Sequence, residues 1–259
     1  MYKISDLVTL IDQIAPLSLS YKMIEKGSYD NSGLLIKLTD SADKILFSLD
    51  FSVSAVQYAI DNGCNAIITH HPAIYSPIKQ INLDGDKALA LAVKNGLNVI
   101  SMHLNLDVAF GGIDASLCQG LGGKDEKIIE IVDSDCGYGR LSKVEKQTLE
   151  SFVSGIKKEF CSQKIISYGD KPVQNVASFC GSGAGTALEY LSALDSADTI
   201  VTSDISHHQL KEFVEQEKNV VIIPHYVSEQ YGFRKFYELV SKKLDKKAQT
   251  LYFLDNRFM

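Results

Sequence analysis

The chain has 259 residues, is 45% hydrophobic and 22% charged, and carries a net charge of −6. Such a composition suits a globular protein with a full core, in one large or two small domains. The negative balance speaks against a general nucleic-acid or anionic-membrane surface, since both need a basic patch, while leaving room for a local basic pocket.

The start, Met1 to Leu7, has no signal-peptide core, and no apolar run approaches membrane-spanning length. Residues Ile4, Leu7, Val8, Ile11 and Ile14 form a helical stripe, with Ser5 as the expected N-cap and Pro16 as the stop. Asp30 to Leu35 leads into a strand ending near Leu38, and Lys44 to Phe51 reads as a second strand. Ser52 or Ser54 caps a helix through Ile60, followed by a strand at Ala66, a helix from Asp86 to Asn95 and a strand at Leu97. This βαβαβ alternation predicts a parallel sheet. A polar, turn-rich stretch from Asp133 to Arg140 reads as a linker, and Leu149 to Phe160 as a helix. From Val176 the alternation resumes, with strands at Val176–Cys180, Thr199–Thr202, Val220–Ile223 and Gln249–Phe253, and helices at Ala187–Leu194, Ile205–Val214 and Val227–Leu244. The segment 66–71 echoes 199–204, a buried strand ending in polar residues. The expected fold is therefore α/β, with two pseudo-symmetric lobes of mostly parallel sheet, residues 1–132 and 133–259.

Three stretches carry chemistry, and each follows an apolar strand. Ile67-Ile68-Thr69-His70-His71-Pro72 places two histidines where the strand must stop, since Pro72 cannot join a sheet ladder and disfavours a helix at His71. Ligands of open α/β sheets bind at such strand ends. The pair is either a polar loop cap or a pair of metal ligands. In His103-Leu104-Asn105-Leu106-Asp107, an extended backbone would put His103, Asn105 and Asp107 on one face. In Pro224-His225-Tyr226-Val227-Ser228-Glu229, a helix starting near Pro224 puts His225 and Glu229 one turn apart on one face.

Two further features are more ambiguous. Gly181-Ser182-Gly183-Ala184-Gly185, between a strand and a helix, is either a phosphate cradle or a tight turn that lets helix and strand pack closely. Asp204 suits an N-cap, which places His207 and His208 in a first helical turn, as exposed residues or as a proton donor or substrate contact at a cleft. The five cysteines, Cys64, Cys118, Cys136, Cys161 and Cys180, are scattered without a CxxC pair and read as reduced, buried thiols of a cytoplasmic protein.

The set Asp30-Asn31-Ser32-Gly33-Leu34-Leu35, Thr69-His70-His71-Pro72, His103-Leu104-Asn105-Leu106-Asp107 and His225-x-x-Ser228-Glu229, in this order, resembles the NIF-three-like family, or GTP cyclohydrolase I type 2 homologues. The resemblance runs from Asp30 to Tyr231. It implies that His70, His71, Asp107, His225 and Glu229 bind two divalent ions between two lobes, with Zn, Mn, Fe and Ni all compatible with nitrogen and oxygen ligands. It also implies a ring-shaped homohexamer. The chain departs from the family's pattern at Tyr29, where a Trp is usual, and at Pro224, where a Gly is usual. An ion pair about 3.5–4 Å apart activates water for hydrolysis, and the small-molecule substrate would be a nucleotide or a related phosphorylated compound. His103 and His208 are the candidate proton donors. The alternative is a non-catalytic metal-binding scaffold for regulation or protein interaction.

Overall fold

The computed structural model describes residues 2–80, 82 and 85–259. They form two compact units, neither of them one continuous stretch: 1–109 with 233–255, and 110–232 with 256–259.

The first unit opens with β1 (Tyr2–Lys3) and α1 (Ile4–Asp12), in which Ile4, Leu7 and Ile11 turn inward. Ser5 does not cap this helix; its hydroxyl bonds Asp6, and Lys3 takes the cap position. Pro16 does end it, but the chain restarts at once as α2 (Leu17–Glu25), a helix without a counterpart in the sequence reading. The Asp12 carboxylate accepts the Leu17 amide at 2.7 Å, satisfying one of the donors that a new helix leaves open. Then come β2 (Gly33–Ile36), β3 (Ser41–Ala42), β4 (Lys44–Ser48), α3 (Val53–Asp61), β5 (Ala66–Thr69), α4 (Lys87–Lys94), β6 (Asn98–Ser101) and α5 (Leu104–Val108). Ser52 caps α3 by accepting the Ala55 amide.

The sheet order is β13-β4-β5-β6-β2, where β13 is Gln249–Phe253. Its first four strands are parallel, and β2 runs antiparallel to β6. All four residues of β5 and of β6 are buried, which is why neither strand shows the alternation of apolar and polar residues that a half-exposed strand would. On one face Leu46, Ile67 and Val99 pack against Val56 and Ala59 of α3 and Ala92 of α4. Each fully buried aliphatic chain contributes about 1.5–3 kcal/mol, so Ile67→Ala alone would cost about 2–5 kcal/mol. Phe47 packs among Phe233, Phe236 and Tyr237, from the C-terminal part of α10 (His225–Leu244).

The second unit contains α6 (Ile113–Gly120), β7 (Lys124–Asp133), β8 (Cys136–Gln147), α7 (Leu149–Glu159), β9 (Ile166–Tyr168), β10 (Val173–Ser178), α8 (Ala184–Glu189), a 3-10 turn at Leu191–Leu194, β11 (Thr199–Thr202), α9 (His207–Glu215), β12 (Asn219–Ile222) and the first turns of α10. Its sheet order is β7-β8-β10-β11-β12-β9, with β10, β11 and β12 parallel and the outer strands antiparallel. Phe179, Ile200, Phe213 and Val220 centre its core.

The stretch Asp133–Arg140 is not a linker. It is the tip of the β7–β8 hairpin and the start of β8, with the turn over Ser134-Asp135. Its glycines, which mimic a loop signal, serve close approach instead: a Cβ at Gly139 would collide with the Phe179 ring. None of the five cysteines forms a disulfide; Cys64, Cys118 and Cys180 are buried as expected, whereas Cys136 is half-buried and Cys161 exposed. Among the described residues no helix is long and apolar enough to cross a membrane.

Candidate functional site

In the first unit the candidate side chains gather at the C-terminal ends of the parallel strands. As β5 ends, the His70 and His71 amides both donate to the Leu49 carbonyl at 3.0 Å, which curls the chain over the end of β4. His70 is fully buried, and its Nδ1 lies 2.7 Å from the Met102 carbonyl just beyond β6. His71 is half-buried, with Nδ1 2.6 Å from Asp50, just beyond β4. His103 also follows β6, with Nδ1 2.7 Å from Asp30. The three imidazoles pack 4.9–5.8 Å apart, and each can bring one ring nitrogen within 4.8 Å of the others.

The His103 segment is not extended. The Leu106 and Asp107 amides both bond the His103 carbonyl, closing α5 with His103 at its cap. The spacing of four still keeps His103 and Asp107 on one side, because four residues make about one helical turn. Asn105 leaves that side: it is buried, and its amide donates to the Ala15 carbonyl at 2.6 Å. Asp107 is nearly buried, and its Oδ1 lies 3.5 Å from His70 Nε2.

Asp30 is more than the opening of a turn. It accepts from His103, Ser20 and Ser32. Burial pushes its carboxyl up, but these hydrogen bonds outweigh burial and hold it below the ordinary carboxylate range. Asn31 bonds a distant loop rather than its own turn, its amide donating to the Ile74 carbonyl at 2.6 Å.

The second unit repeats the pattern at the ends of β10, β11 and β12. Pro224 follows β12, and α10 begins at His225. His225 Nε2 is 2.9 Å from Oε1 of the buried Glu229 one turn on, and Nδ1 is 2.7 Å from Asp204. Asp204, past the end of β11, also accepts from Ser182 at 2.8 Å. Burial raises its carboxyl, but the bonds from His225 and Ser182 more than offset this and hold it below the ordinary range. Asp204 is therefore not an N-cap. Ser206 caps α9 in a capping box with Gln209, because its hydroxyl can reach the Gln209 amide while the Gln209 side chain reaches back. His207 and His208 do fall in the first turn, both exposed, and His208 bonds the Ser206 hydroxyl of its own cap.

The glycine loop has a packing role. Gly181 sits at φ +55°, and a Cβ there would collide with Glu229 Oε1 and stand 3.3 Å from His225 Nε2. At Gly183 a Cβ would collide with Phe179. The second of the two readings above, close approach, accounts for both positions.

This donor set fits a metal. His70, His71, His103 and His225 all hold Nδ1 against an oxygen acceptor. That contact keeps the proton on Nδ1 and the lone pair on Nε2, the tautomer a ligating imidazole needs. Two donors bound to one ion at about 2.1 Å lie about 3.0 Å apart at a right angle and about 3.4 Å at the tetrahedral angle. The Nε2–carboxylate separations of 2.9 Å and 3.5 Å match those figures. His225 also has a carboxylate at each nitrogen, more than a neutral imidazole can donate to, so a second proton or a cation is required there.

The carboxylates that orient the rings, Asp30, Asp50 and Asp204, were missed as such from sequence. The available signal was their position: Asp50 and Asp204 each stand two residues past a parallel strand.

The family described as Duf34/NIF3 (NGG1p interacting factor 3) matches residues 2–256. A Clostridium perfringens relative named GTP cyclohydrolase 1 type 2 homolog is 30% identical, over 96% of this chain and 95% of that protein. NGG1-interacting factor 3 of Saccharomyces cerevisiae is 26% identical over 80% of each chain. A Staphylococcus aureus protein of known structure superposes with a TM-score of 0.85 at 26% identity, over 98% of this chain and 97% of that one.

Proposed function

Because the chain belongs to the Duf34/NIF3 family, we propose that it is a metal-dependent hydrolase of a nucleotide or a related phosphorylated small molecule. In this reading His70, His71, Asp107, His225 and Glu229 hold two divalent ions. The observation that carries it is the shared design of the histidines, four rings each turned by an oxygen at Nδ1. The name of the Clostridium relative supports the substrate class.

Divalent ions held there would lower the pKa of water and polarise a substrate oxygen. The protein's own groups do the rest. Met102, Asp50 and Asp204 fix the rings of His70, His71 and His225. Asp30 holds His103 so that its Nε2 exchanges a proton with the reacting group, as general base and then general acid. His208, an exposed imidazole at the start of α9, is the other proposed proton carrier.

The test is a metal-analysed preparation screened against nucleotides and phosphoesters, with His71→Ala as control. Turnover that follows metal content and vanishes in the variant supports the reading. Two bound ions with no turnover on any substrate of these classes would favour the second reading, a metal-containing interaction scaffold, which the name of the yeast relative supports. A scaffold site would be closed by protein ligands, whereas a hydrolase keeps exchangeable positions that inhibitory anions can occupy.

A further inference from the structure

Tyr29 and Tyr75 are large aromatic side chains that the fold leaves half in solvent, each 49% exposed. Their rings meet edge to face, with centroids 5.0 Å apart and planes at 66°. Tyr75 in turn stands perpendicular to the His103 imidazole, at 6.2 Å. The three rings thus form a continuous run from solvent to the histidine cluster of the first unit.

The run is built rather than incidental. Tyr29 precedes Asp30, whose carboxylate holds His103. Tyr75 follows Ile74, whose carbonyl accepts the Asn31 side chain at 2.6 Å. Two loops that lie 43 residues apart in sequence are joined by that bond, and each presents one tyrosine. Neither ring is packed into the core, so the joined loops do not serve to bury them. What the pair offers is half-exposed aromatic area from two rings that meet beside an imidazole.

We propose that Tyr29 and Tyr75 form a stacking platform for the planar heteroaromatic ring of a ligand, a nucleobase being the representative class. This deepens the functional reading above and rests on it for the ligand's remaining parts. Stacking is sequence-tolerant because every base has a π face, so the platform selects rings over non-aromatic phosphoesters more than it selects one base over another. A ring laid against Tyr75 lies beside the His103 imidazole, where a proton can pass to or from a ring nitrogen or an attached group. Tyrosine suits the task because its ring gives apolar area while its hydroxyl keeps the exposed end hydrated.

The chain contains no tryptophan, which supplies the assay. Tyr29→Trp installs a single indole on the platform, where a stacked base quenches its emission. The metal-loaded full chain is titrated with guanosine, adenosine and cytidine, and with ribose 5-phosphate as the ring-free control. Saturable quenching by the nucleosides, none by ribose 5-phosphate, and affinity about tenfold weaker on adding Tyr75→Ala are the expected results. Calorimetry of guanosine with wild type and with Tyr29→Ala repeats the comparison without the indole. Equal nucleoside affinity in Tyr75→Ala and its parent, equal guanosine affinity in Tyr29→Ala and wild type, or no nucleoside binding by metal-loaded protein, overturns the platform. Metal content and melting temperature are measured on the same samples and should be unchanged in all variants. Absence of bound metal with intact nucleoside stacking would sink the metal reading and spare the platform. Two bound ions with no stacking would do the reverse.

Discussion

Gly181→Ala is a one-methyl perturbation aimed at the carboxylate of Glu229. At φ +55° an alanine is strained by about 1–2 kcal/mol, since its Cβ crowds the following carbonyl. Alanine also restricts the unfolded chain more than glycine, which returns about 0.4–1 kcal/mol. Strain alone therefore costs about 1 kcal/mol, a fall in melting temperature of about 2–4 °C for a chain of this size. The larger effect is local. The new methyl occupies space held by Glu229 Oε1, and Glu229 is buried on α10, so the carboxylate must turn away from His225 and give up the 2.9 Å contact. Loss of one ligand orientation should weaken metal binding by at least about tenfold, comparable to removal of an orienting partner. The assay is chelator competition with metal analysis, alongside a thermal melt. Gly185→Ala is the control: its nearest neighbour would be Gln209 Nε2 at 3.8 Å, and it lies within α8, where alanine is favoured by about 0.5–1 kcal/mol. If Gly181→Ala binds metal and melts as Gly185→Ala does, the reasoning about Glu229 is wrong.

Asp50→Ala should lower metal affinity about 10- to 100-fold through the freed His71 ring, with the melting temperature of the metal-free protein little changed; unaltered chelator competition would count against an orienting role. His103→Ala should keep both ions and lose about a hundredfold in hydrolytic rate on whatever substrate the screen finds, whereas a lost metal equivalent would make His103 a ligand. Asp114 is wholly buried against Arg140, and burial pushes its carboxyl up to about 6, against the opposing pull of the guanidinium. The folded state therefore holds this proton more tightly than the unfolded chain. The corresponding stability is fully present below about pH 4 and is lost as pH rises toward 6, by ~3 kcal/mol in all. Urea melts of wild type and Asp114→Asn across pH 4–7 should differ in slope over that window; parallel profiles would refute the shift.

The parallel cores were legible because their strands are buried on both faces, so Ala66–Thr69 and Thr199–Thr202 appear as apolar runs closed by polar residues. The spacing of His225 and Glu229 was legible for a different reason: Pro224 sets the helix start, and four residues make one turn. The backbone of the His103 segment was not, because a spacing of four between His103 and Asp107 serves an extended face and a helical turn alike. The β7–β8 hairpin was hidden by Gly137 and Gly139, which signal turns in sequence but serve close contacts in a strand. The orienting carboxylates were hidden because an Asp after a strand is ordinary turn chemistry, and only the fold says which imidazole it faces.

The pairing of β13 with β4 joins Gln249 to Lys44 and Phe253 to Ser48. That ladder bears on biosynthesis. As the chain leaves the ribosome, β4, β5 and β6 can assemble early, but the outer edge of β4 stays open until about 150 further residues have been made. An open edge of parallel strand is a template for pairing with other chains. The newly made protein thus passes through a window in which its first sheet is vulnerable to aggregation. A product truncated between residues 230 and 248 would remain in that state, with the candidate site's motifs all present in sequence and its sheet unsealed.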